Sequence, residues 1–390
     1  MAPKRILVVD DSSMYQRLLT DVINSNPGLE VVGVAINGRE ALQMVETLQP
    51  HLVTLDILMP QMDGIQTLME LRRQWPEIRA VMVSSLTSEG SDAALDALTL
   101  GAHEYAVKPV SAGGVSAIRE ILQKDLLPKI EALCNLERVA APAALEKPAP
   151  LEAPVEWKTA SRARPGDSRF ELVVIGVSTG GPDALTRLLL QLPENFGVPI
   201  CIVQHMPAEF TGKLAARLDA ASALTVCEAR AGQPLKAGTV YIAPGDHHMV
   251  LEREGGGDVI RLNQNPMENS CRPSVDSLLR SAAAIHGDRC LGVVMTFTVQ
   301  DGHKGSEVLY ASGASILVQD EQSSVVWGMP KLVAQAGLAE EQVPLERMAR
   351  AILERVMVPQ GRTVEHVGDR GAKAANSSSH PLSGSEGVGS

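Results

Sequence analysis

The chain is short of positive charge. Its 390 residues include 35 lysines and arginines against 46 aspartates and glutamates, which gives a formal net charge of −11. A protein that binds nucleic acid needs a basic surface to neutralise phosphates, so this balance argues against a nucleic-acid target. The sequence also contains no helix-turn-helix pattern. Both absences argue against a transcription factor.

Long apolar runs are absent as well. No stretch approaches the roughly 20 residues that a membrane-spanning helix needs. Met1 leads directly into the first predicted strand, without a signal-peptide pattern. We therefore expect a cytoplasmic protein that is not inserted in a membrane.

Cysteine is scarce, with five residues in the whole chain. These residues lie mostly in apolar segments and lack the paired spacing of metal sites, which predicts reduced, structural thiols. They are Cys134, Cys201, Cys227, Cys271 and Cys290. Only Cys271 lies in a polar stretch, and the sequence assigns it no role.

The length exceeds what one ordinary core accommodates, so two domains are expected. Residues 138–169 hold five prolines and many alanines, the composition of an extended, semi-rigid linker. Residues 358–390 are rich in glycine and serine and contain no aromatic residue, which predicts disorder. The expected division is a first domain over 1–122, a connecting helix and linker over 123–169, a second domain over 170–357 and the tail over 358–390.

Five apolar runs in the first domain alternate with segments of helix length. This alternation predicts a doubly wound parallel sheet that is covered by helices on both faces. The predicted strands are Ile6 to Val9, Val31 to Ala35, Leu52 to Leu55, Ala80 to Val83 and Tyr105 to Val107.

Three aspartates, Asp10, Asp11 and Asp56, stand where predicted strands end. The carboxyl ends of parallel strands meet at one edge of a sheet, so these carboxylates are expected to gather there. Gathered carboxylates repel one another unless a cation joins them, and Mg²⁺ is the ion that suits oxygen ligands. The sequence therefore predicts a magnesium site in the first domain.

Two further strands also end in polar residues. Ser84 or Ser85 supplies a hydroxyl, and Lys108 supplies an ammonium group, so the pair is suited to a phosphoryl group at the same edge. The alternative is that each aspartate only caps the helix that follows it. Five polar residues that coincide at strand ends make this the weaker hypothesis.

A glycine-rich turn in the second domain presents one serine. The stretch from Leu172 to Leu185 runs from an apolar strand into a turn that fits G-x-S-x-G at Gly176, Ser178 and Gly180. A serine at such a turn is exposed above a sheet, where a base activates it as a nucleophile. The first amides of the next helix, from Thr179 to Gly181, are expected to point toward bound negative charge and to form an oxyanion hole.

The same turn has another explanation, since dinucleotide-binding folds cradle phosphate in such loops and Ser178 would then only cap the helix. A nucleophile needs a base. His205 is preferred over His247 and His248, because it stands at the end of an apolar strand and is expected to share one edge of the sheet with Ser178. The two adjacent histidines point to opposite sides of a strand, which argues against a metal pair. Asp301, in a loop after a third apolar run, is the candidate for the acid that orients the base.

Six blocks within residues 172–331 resemble the catalytic domain of the chemotaxis protein-glutamate methylesterases, the CheB family. The blocks are GVSTGG, QHM, YIAPGDHH, RPSVDSLLRSAA, a late Asp-Gly loop and QDEQSSVVWGMPK, in that order. The resemblance implies a doubly wound α/β domain in which Ser178 is the nucleophile, His205 the base and Asp301 its orienting carboxylate. It also implies that the pair His247 and His248 lines the site without binding a metal, so no cofactor is expected in this domain.

Residues 4 to about 122 resemble a response-regulator receiver domain, a flavodoxin-like fold with a five-stranded parallel sheet. The resemblance implies that Asp56, in TLDILMPQMDG, accepts a phosphoryl group. The Mg²⁺ ligands that it implies are Asp10, Asp11 and Asp56. The switch residues that it implies are Ser84, Tyr105 and Lys108.

One block departs from the CheB pattern. The family usually has Thr-Gly-Met-Gly-x-Asp-Gly in the last loop, whereas this chain has Phe297 and Val299 in place of two glycines. If either position requires a positive φ, the side chain strains the backbone. The family counterpart of Thr298, which lies between them, helps to form the oxyanion hole. A misplaced donor there would lower turnover about 10²- to 10³-fold.

Together, the resemblances imply a hydrolase that is activated by phosphorylation. It would demethylate glutamate methyl esters on the cytoplasmic helices of chemoreceptors, and it would deamidate receptor glutamines at the same site. A histidine kinase is expected to phosphorylate Asp56 and so to uncover an active site that the receiver blocks. The alternative is a non-catalytic regulator with an impaired oxyanion loop, which binds receptor or kinase in a phosphorylation-dependent way.

Overall fold

The computed structural model describes residues 2–85, 88–109, 113–135, 170–297 and 301–357. Most of the expected linker and the whole expected tail lie outside these ranges. Within them, no helix combines the length and the apolarity that crossing a membrane requires.

The first domain alternates strands and helices as the apolar runs predict. Its elements are β1 (Lys4–Val9), α1 (Ser13–Asn24), β2 (Leu29–Ala35), α2 (Gly38–Leu48), β3 (Leu52–Asp56), α3 (Gly64–Gln74), β4 (Arg79–Ser85), α4 (Ser88–Thr99), β5 (Glu104–Lys108) and α5 (Val115–Asn135). The strands form one sheet in the order β2-β1-β3-β4-β5. Every neighbouring pair is parallel, so the predicted flavodoxin-like sheet is confirmed.

Both faces of this sheet are buried. Along β1, Leu7 and Val9 belong to one hydrophobic cluster, and Ile6 and Val8 belong to another, as the two-residue period of a strand requires. The second cluster includes α5 residues as far along the chain as Cys134. The boundary expected at residue 122 therefore lies inside a helix that packs on the first domain from Ile118 to Cys134.

The second domain is a larger α/β unit. Its elements are β6 (Leu172–Val177), α6 (Gly181–Leu189), β7 (Ile200–Gln204), α7 (Ala208–Ala221), β8 (Thr225–Glu228), β9 (Thr239–Ile242), β10 (His248–Glu254), β11 (Gly257–Asn263), α8 (Val275–His286), a 3-10 turn (Gly287–Arg289), β12 (Cys290–Val294), α9 (His303–Ala311), β13 (Ser315–Gln319), α10 (Met329–Gln335), β14 (Glu341–Val343) and α11 (Leu345–Val356). Seven strands form a parallel sheet in the order β14-β13-β12-β6-β7-β9-β8. The strands β10 and β11 form a separate antiparallel hairpin.

The strand order places a crevice at the carboxyl end of β6. The chain passes from β6 to β7 on one side, and it reaches β12 on the other side only later. A crevice at such a reversal of strand order is the usual ligand site of an open α/β sheet. Ser178 follows β6, His205 follows β7, and the loop that carries Asp301 follows β12.

The two domains contact each other through α4 of the first and α6 and α7 of the second. Two ion pairs cross this contact. Asp92 lies 2.8 Å from Lys213, and Asp96 is paired with Arg217. Because α6 and α7 begin just after the predicted nucleophile and base, the first domain touches the segments that hold the candidate site.

Candidate active site and acidic cluster

Ser178 lies half-buried in the turn between β6 and α6. Its N–H donates to the Thr296 carbonyl oxygen at 3.0 Å. Its own carbonyl oxygen accepts the Gly181 N–H at 2.7 Å and the Gln204 side-chain amide at 3.0 Å. These bonds fix the main chain around Ser178. They also correct the expectation that the Gly181 amide points toward a ligand, because that N–H is bonded within the turn.

The turn has space only for glycine at two positions. Gly180 has a φ of +77°, and a Cβ there would lie 2.5 Å from the Val325 side chain. A Cβ on Gly181 would lie 1.9 Å from Oε1 of Gln204. A side chain on Gly180 of the G-x-S-x-G pattern, or on the neighbouring Gly181, would therefore collide with the segment that packs against it.

His205 lies level with Ser178 on the neighbouring strand. Its N–H donates to the Val177 carbonyl oxygen at 3.1 Å, which continues the parallel register of β6 and β7. Its side-chain Nε2 lies 2.9 Å from Oδ2 of Asp301. An ionised carboxylate only accepts hydrogen bonds, so Nε2 is the donor of this bond, and in the neutral imidazole the lone pair lies on Nδ1.

Asp301 is fully buried and accepts hydrogen bonds from several segments. Besides His205, the donors are the Ser274 hydroxyl at 2.7 Å, the N–H groups of Val275 and Asp276 at 2.6 and 3.2 Å, and the Asn269 amide at 3.2 Å. Burial opposes ionisation, but these bonds, that from His205 foremost, hold the pKa of the Asp301 carboxyl below its ordinary value. Two of the donors are the first amides of α8, whose dipole favours negative charge.

Phe297, at one of the two positions where the chain departs from the CheB pattern, is fully buried. Its N–H donates to the Val326 carbonyl oxygen at 2.9 Å, and its ring meets the His205 ring edge-on, with centroids 4.6 Å apart and planes at 71°. It is not among the positive-φ residues of the described chain, so the side chain adds no left-handed strain there. Thr298 and Val299, the other residues in question, lie outside the described residues.

Sequence reasoning missed one neighbour of the base. The Sγ of Cys271, in the loop before α8, lies 3.6 Å from Nδ1 of His205. Burial, with the nearby carboxylates of Asp301 and Asp276, raises the pKa of this thiol to about 12. The only sequence signal was its unusual place in a polar stretch.

The two adjacent histidines have structural contacts. His248 is buried, with Nδ1 accepting the Ser274 N–H at 3.2 Å and Nε2 lying 3.1 Å from the Pro266 carbonyl oxygen. Nδ1 of His247 lies 3.3 Å from the Gly245 carbonyl oxygen. The cluster of potential metal ligands found around His205 contains neither of them.

In the first domain, Asp10, Asp11 and Asp56 come together at one edge of the sheet. One carboxylate oxygen from each lies within 4.8 Å of the others. Nζ of Lys108 lies 2.5 Å from Asp56 and 2.7 Å from Asp10. Burial raises the pKa of both Asp10 and Asp56, although Lys108 opposes the shift.

All three of the predicted switch residues are buried. The Ser84 hydroxyl lies 3.4 Å from the Ser85 carbonyl oxygen. Tyr105 packs against Phe210 of α7, across the contact between the domains. The third switch residue is Lys108, which holds the ion pairs of the acidic cluster.

Next to Tyr105, the buried carboxyl of Glu104 is hydrogen-bonded by Thr179, the residue after Ser178. Burial raises the pKa of Glu104 even though the Lys129 ammonium group lowers it. The last strand of the first domain is thus bonded directly to the turn that presents the serine.

Two protein families match this chain. A family described as CheB methylesterase matches residues 173–352, and one described as response regulator receiver domain matches residues 6–123. A protein of Trichodesmium erythraeum named protein-glutamate methylesterase/protein-glutamine glutaminase is 42% identical over 352 residues, covering 90% of this chain and 99% of its own length. A protein of the same name from Nocardioides sp. is 44% identical over 363 residues, covering 92% of this chain and 98% of its own.

Solved structures match the two halves separately. The Thermotoga maritima CheB methylesterase catalytic domain is 41% identical, with a TM-score of 0.47, and the match covers 48% of this chain and 99% of that domain. The response regulator domain of Thermotoga maritima CheB is 38% identical, with a TM-score of 0.32. That match covers 35% of this chain and 99% of the solved domain. Because relatives more than 40% identical span both domains from end to end, the chain belongs to the CheB methylesterase family, with a receiver domain preceding the methylesterase domain.

Proposed function

We propose that this protein is a serine hydrolase that demethylates glutamate methyl esters on chemoreceptors and is activated by phosphorylation of its receiver domain. The names of relatives at 42% and 44% identity support this activity and also support deamidation of glutamines. Both substrates carry a γ-carbonyl group that one nucleophile attacks in the same way.

The observation that carries the proposal is the bond between Nε2 of His205 and the buried Asp301, on the strand edge beside Ser178. Since Nε2 donates to the carboxylate, Nδ1 is the atom that takes the proton from the Ser178 hydroxyl. The serine oxygen then forms a bond to the ester carbon, and the proton passes from Nδ1 to the departing methoxide, which leaves as methanol. Water, deprotonated by the same nitrogen, cleaves the acyl-enzyme to carboxylate and free serine.

The tetrahedral intermediate needs hydrogen-bond donors for its oxyanion. With the Gly181 amide bonded to the Ser178 carbonyl oxygen, the candidates in the turn are the amides of Thr179 and Gly180. Thr298 is the further candidate, because its family counterpart has this role. The contact of Phe297 with His205 supports a loop that is packed around the base and argues against a loop displaced from it.

Asp56 is the proposed phosphoacceptor, and Asp10, Asp11 and Asp56 are the residues that would hold Mg²⁺. Three carboxylate oxygens within 4.8 Å of one another fit a hard cation that prefers oxygen ligands and water. The ion, when bound, neutralises charge on the phosphoryl group during transfer. Lys108, which already contacts Asp56 and Asp10, would pair with a phosphoryl oxygen on Asp56.

Access to the active site is proposed to depend on the receiver. In the unphosphorylated chain, Glu104 is bonded to Thr179 beside the nucleophile, and Tyr105 packs on α7 beside the base. Phosphorylation changes the charge at Asp56 and would release this contact. The proposed partners are a histidine kinase as phosphodonor and the cytoplasmic helices of chemoreceptors as substrate, which places the protein in the cytoplasm.

The deciding experiment measures methanol release from membranes that contain methylated receptors, with and without a phosphodonor. We expect a low basal rate in wild type, a higher rate with the phosphodonor, and no release by Ser178→Ala, which replaces one small turn residue by another. Asp56→Asn should stay at the basal rate under both conditions. If wild type releases no methanol while its phosphorylated form still binds receptor membranes, the protein is the non-catalytic regulator.

A further inference from the structure

Two potential metal ligands converge at the candidate active site from different parts of the chain. His205 follows β7, and Cys271 belongs to the loop before α8. One ligand atom each from His205, Cys271 and Asp301 lies within 4.8 Å of the other two. A cysteine and a histidine are both ligands that Zn²⁺ accepts in proteins, while Asp301 is engaged by Nε2 of His205.

The hydrogen bonding of His205 leaves the correct nitrogen for a metal. A metal needs the lone pair of a neutral imidazole, and the other ring N–H of a ligating histidine usually donates to a carboxylate. Nε2 of His205 donates to Asp301, so the lone pair lies on Nδ1, the nitrogen that faces Cys271. The ring is therefore already held as metal-bound histidines are held.

The separation of the two donor atoms also fits a metal. Typical bonds are about 2.3 Å from zinc to sulfur and about 2.05 Å from zinc to nitrogen, and a tetrahedral angle between them gives a sulfur–nitrogen distance of about 3.6 Å. The distance from Sγ of Cys271 to Nδ1 of His205 is 3.6 Å. The observed separation is therefore the one that a zinc ion bound to both atoms requires.

The charges around the pair favour a cation. Asp301 contacts the same imidazole ring, and the Asn269 amide donates to both Asp301 and Asp276, so two carboxyl groups lie beside the pair. Carboxyl groups attract a divalent ion, and its binding to Cys271 releases the thiol proton to solvent. Sulfur selects a soft or borderline ion, so Zn²⁺ is preferred to Mg²⁺ at this position.

We propose that Zn²⁺ binds between Nδ1 of His205 and Sγ of Cys271 and reversibly inhibits the hydrolase, because the metal occupies the lone pair that must take the proton from Ser178. Metal binding follows from the ligand geometry alone. The inhibition rests on the proposed function, since it requires His205 to be the base.

The binding is tested on the full chain with Co²⁺ as a spectroscopic probe, in the presence of excess Mg²⁺ to fill the carboxylate cluster of the receiver. A thiolate ligand gives cobalt a charge-transfer band that carboxylate sites do not give. We expect this band in wild type and in Cys227→Ser, which alters a half-buried cysteine elsewhere, and we expect Zn²⁺ to abolish it. The band should be lost in Cys271→Ser. A wild-type chain without the band, or a band that persists in Cys271→Ser, overturns the proposal.

The inhibition is tested by methanol release with increasing Zn²⁺, each variant being compared with its own metal-free rate, followed by a chelator. Wild type and Cys227→Ser should lose activity and recover it with the chelator. The zinc concentration for half inhibition should rise by at least about 10–100-fold in Cys271→Ser, since loss of an outer-shell partner alone costs that much affinity. Equal zinc sensitivity in Cys271→Ser overturns the inhibitory role. If wild type releases no methanol without metal, the hydrolase proposal fails, and the cobalt band still decides the binding.

Should Cys271→Ser fail to fold, wild type still decides the binding through its reactive thiols. Zn²⁺ should protect one thiol from alkylation, and peptide mapping should identify it as Cys271. Protection of a different cysteine, or of none, overturns the proposal.

Discussion

Tyr105 of the receiver packs on Phe210 of the methylesterase domain, with ring centroids 4.6 Å apart and planes inclined by 30°. Tyr105 lies on β5, the strand that ends in Lys108 at the acidic cluster, and Phe210 lies in the first turn of α7, just after His205. A change at Asp56 that moves Lys108 therefore acts on a strand that touches the helix beside the base. The contact provides a short physical connection between the two proposed chemical sites.

The first prediction concerns the charges that hold this contact closed. Asp92 and Asp96 on α4 pair with Lys213 and Arg217 on α7, so changing both aspartates to lysine places like charges opposite each other. An exposed ion pair contributes up to about 1 kcal/mol. The loss of both pairs therefore shifts the equilibrium from the closed toward the open arrangement of the two domains by up to about 30-fold. Methanol release without a phosphodonor should rise accordingly.

The design includes a rescue and a control. In the variant with lysine in place of Asp92 and Asp96, the further changes Lys213→Glu and Arg217→Glu should restore the low basal rate, because opposite charges again face each other. Glu70→Lys, which disrupts an exposed pair with Arg73 within α3, should leave the basal rate unchanged. If the variant with both aspartates changed to lysine releases methanol no faster than wild type, this contact does not limit access to the active site.

The second prediction concerns the acid of the proposed triad. Asp301→Asn preserves size but removes the negative charge of the carboxylate. That carboxylate accepts hydrogen bonds from Nε2 of His205 and from the first amides of α8. We expect kcat to fall by about 10⁴-fold with little change in KM, the order known for losing the charge of the acid in such a triad. Steady-state kinetics on methylated receptors checks this. A fall in kcat of tenfold or less would mean that the carboxylate of Asp301 has a mainly structural role.

The same substitution has a signature in stability. The pKa of Asp301 is lower in the folded chain than its ordinary value, so its charge stabilises the fold above the unfolded pKa of about 3.9. That stabilisation is lost as the pH falls through the folded pKa. Wild type should therefore exceed Asp301→Asn in unfolding free energy near neutral pH, and the gap should narrow as the solution is acidified. Urea unfolding at several pH values measures the gap.

Much of the fold and the position of the main site residues followed from the sequence for a simple reason. Apolar runs identify strands, and parallel strands bring their carboxyl ends to one edge, so Asp10, Asp56 and His205 were placed at strand ends before any contact was known. The glycines around Ser178 likewise identified a tight turn, which the structure explains by the close approach of Gln204 and Val325.

Other features depend on contacts between distant segments. The sequence could not show that the Gly181 amide is bonded within its own turn, or that Cys271 reaches His205 across the domain. The bond between Glu104 and Thr179 joins two domains, and no local pattern encodes such a contact. One sequence signal pointed to the Asp301 contacts. Ser274 is a polar residue just before a helix, where a hydroxyl and free amides can bind a carboxylate, and its hydroxyl donates to Asp301.

The third prediction uses the buried carboxyl of Glu104. Its folded pKa is raised, so the stability that its protonated form contributes is complete below the unfolded pKa of about 4.3 and is lost as the pH rises through the folded value. Glu104→Gln keeps an acceptor for Thr179 but does not titrate. The variant should match wild type near pH 4 and exceed it near pH 8, by about 1.4 kcal/mol for each unit of the shift.

Urea unfolding of both proteins at about pH 4 and about pH 8 checks this prediction, with the receiver transition followed separately because two domains need not unfold together. Basal methanol release should be lower in Glu104→Gln at the higher pH, since the contact at Thr179 no longer buries a charge. A variant that is less stable than wild type at the higher pH would show that the attraction of the Lys129 ammonium group for the Glu104 carboxylate outweighs the cost of burial.

The last prediction concerns Phe297, which sequence comparison alone presents as a defect in the oxyanion loop. The structure shows a buried ring held edge-on against His205 at 4.6 Å, without left-handed strain at its own residue. Phe297→Leu keeps most of the volume but loses this aromatic contact, which is worth about 0.5–1.5 kcal/mol. If the ring positions the base, kcat should fall by up to about tenfold while KM changes little.

Phe297→Gly with Val299→Gly separates positioning from strain. Restoring both glycines of the CheB pattern removes the ring and leaves a cavity beside His205, so we expect slower turnover than in Phe297→Leu and a loss of stability of at least about 3–5 kcal/mol. If the ring were a source of strain, the glycine pair would instead raise kcat above wild type. A faster double variant would thus restore the view that the loop is impaired, whereas a slower one would show that the loop has been rebuilt around Phe297 as a support for His205.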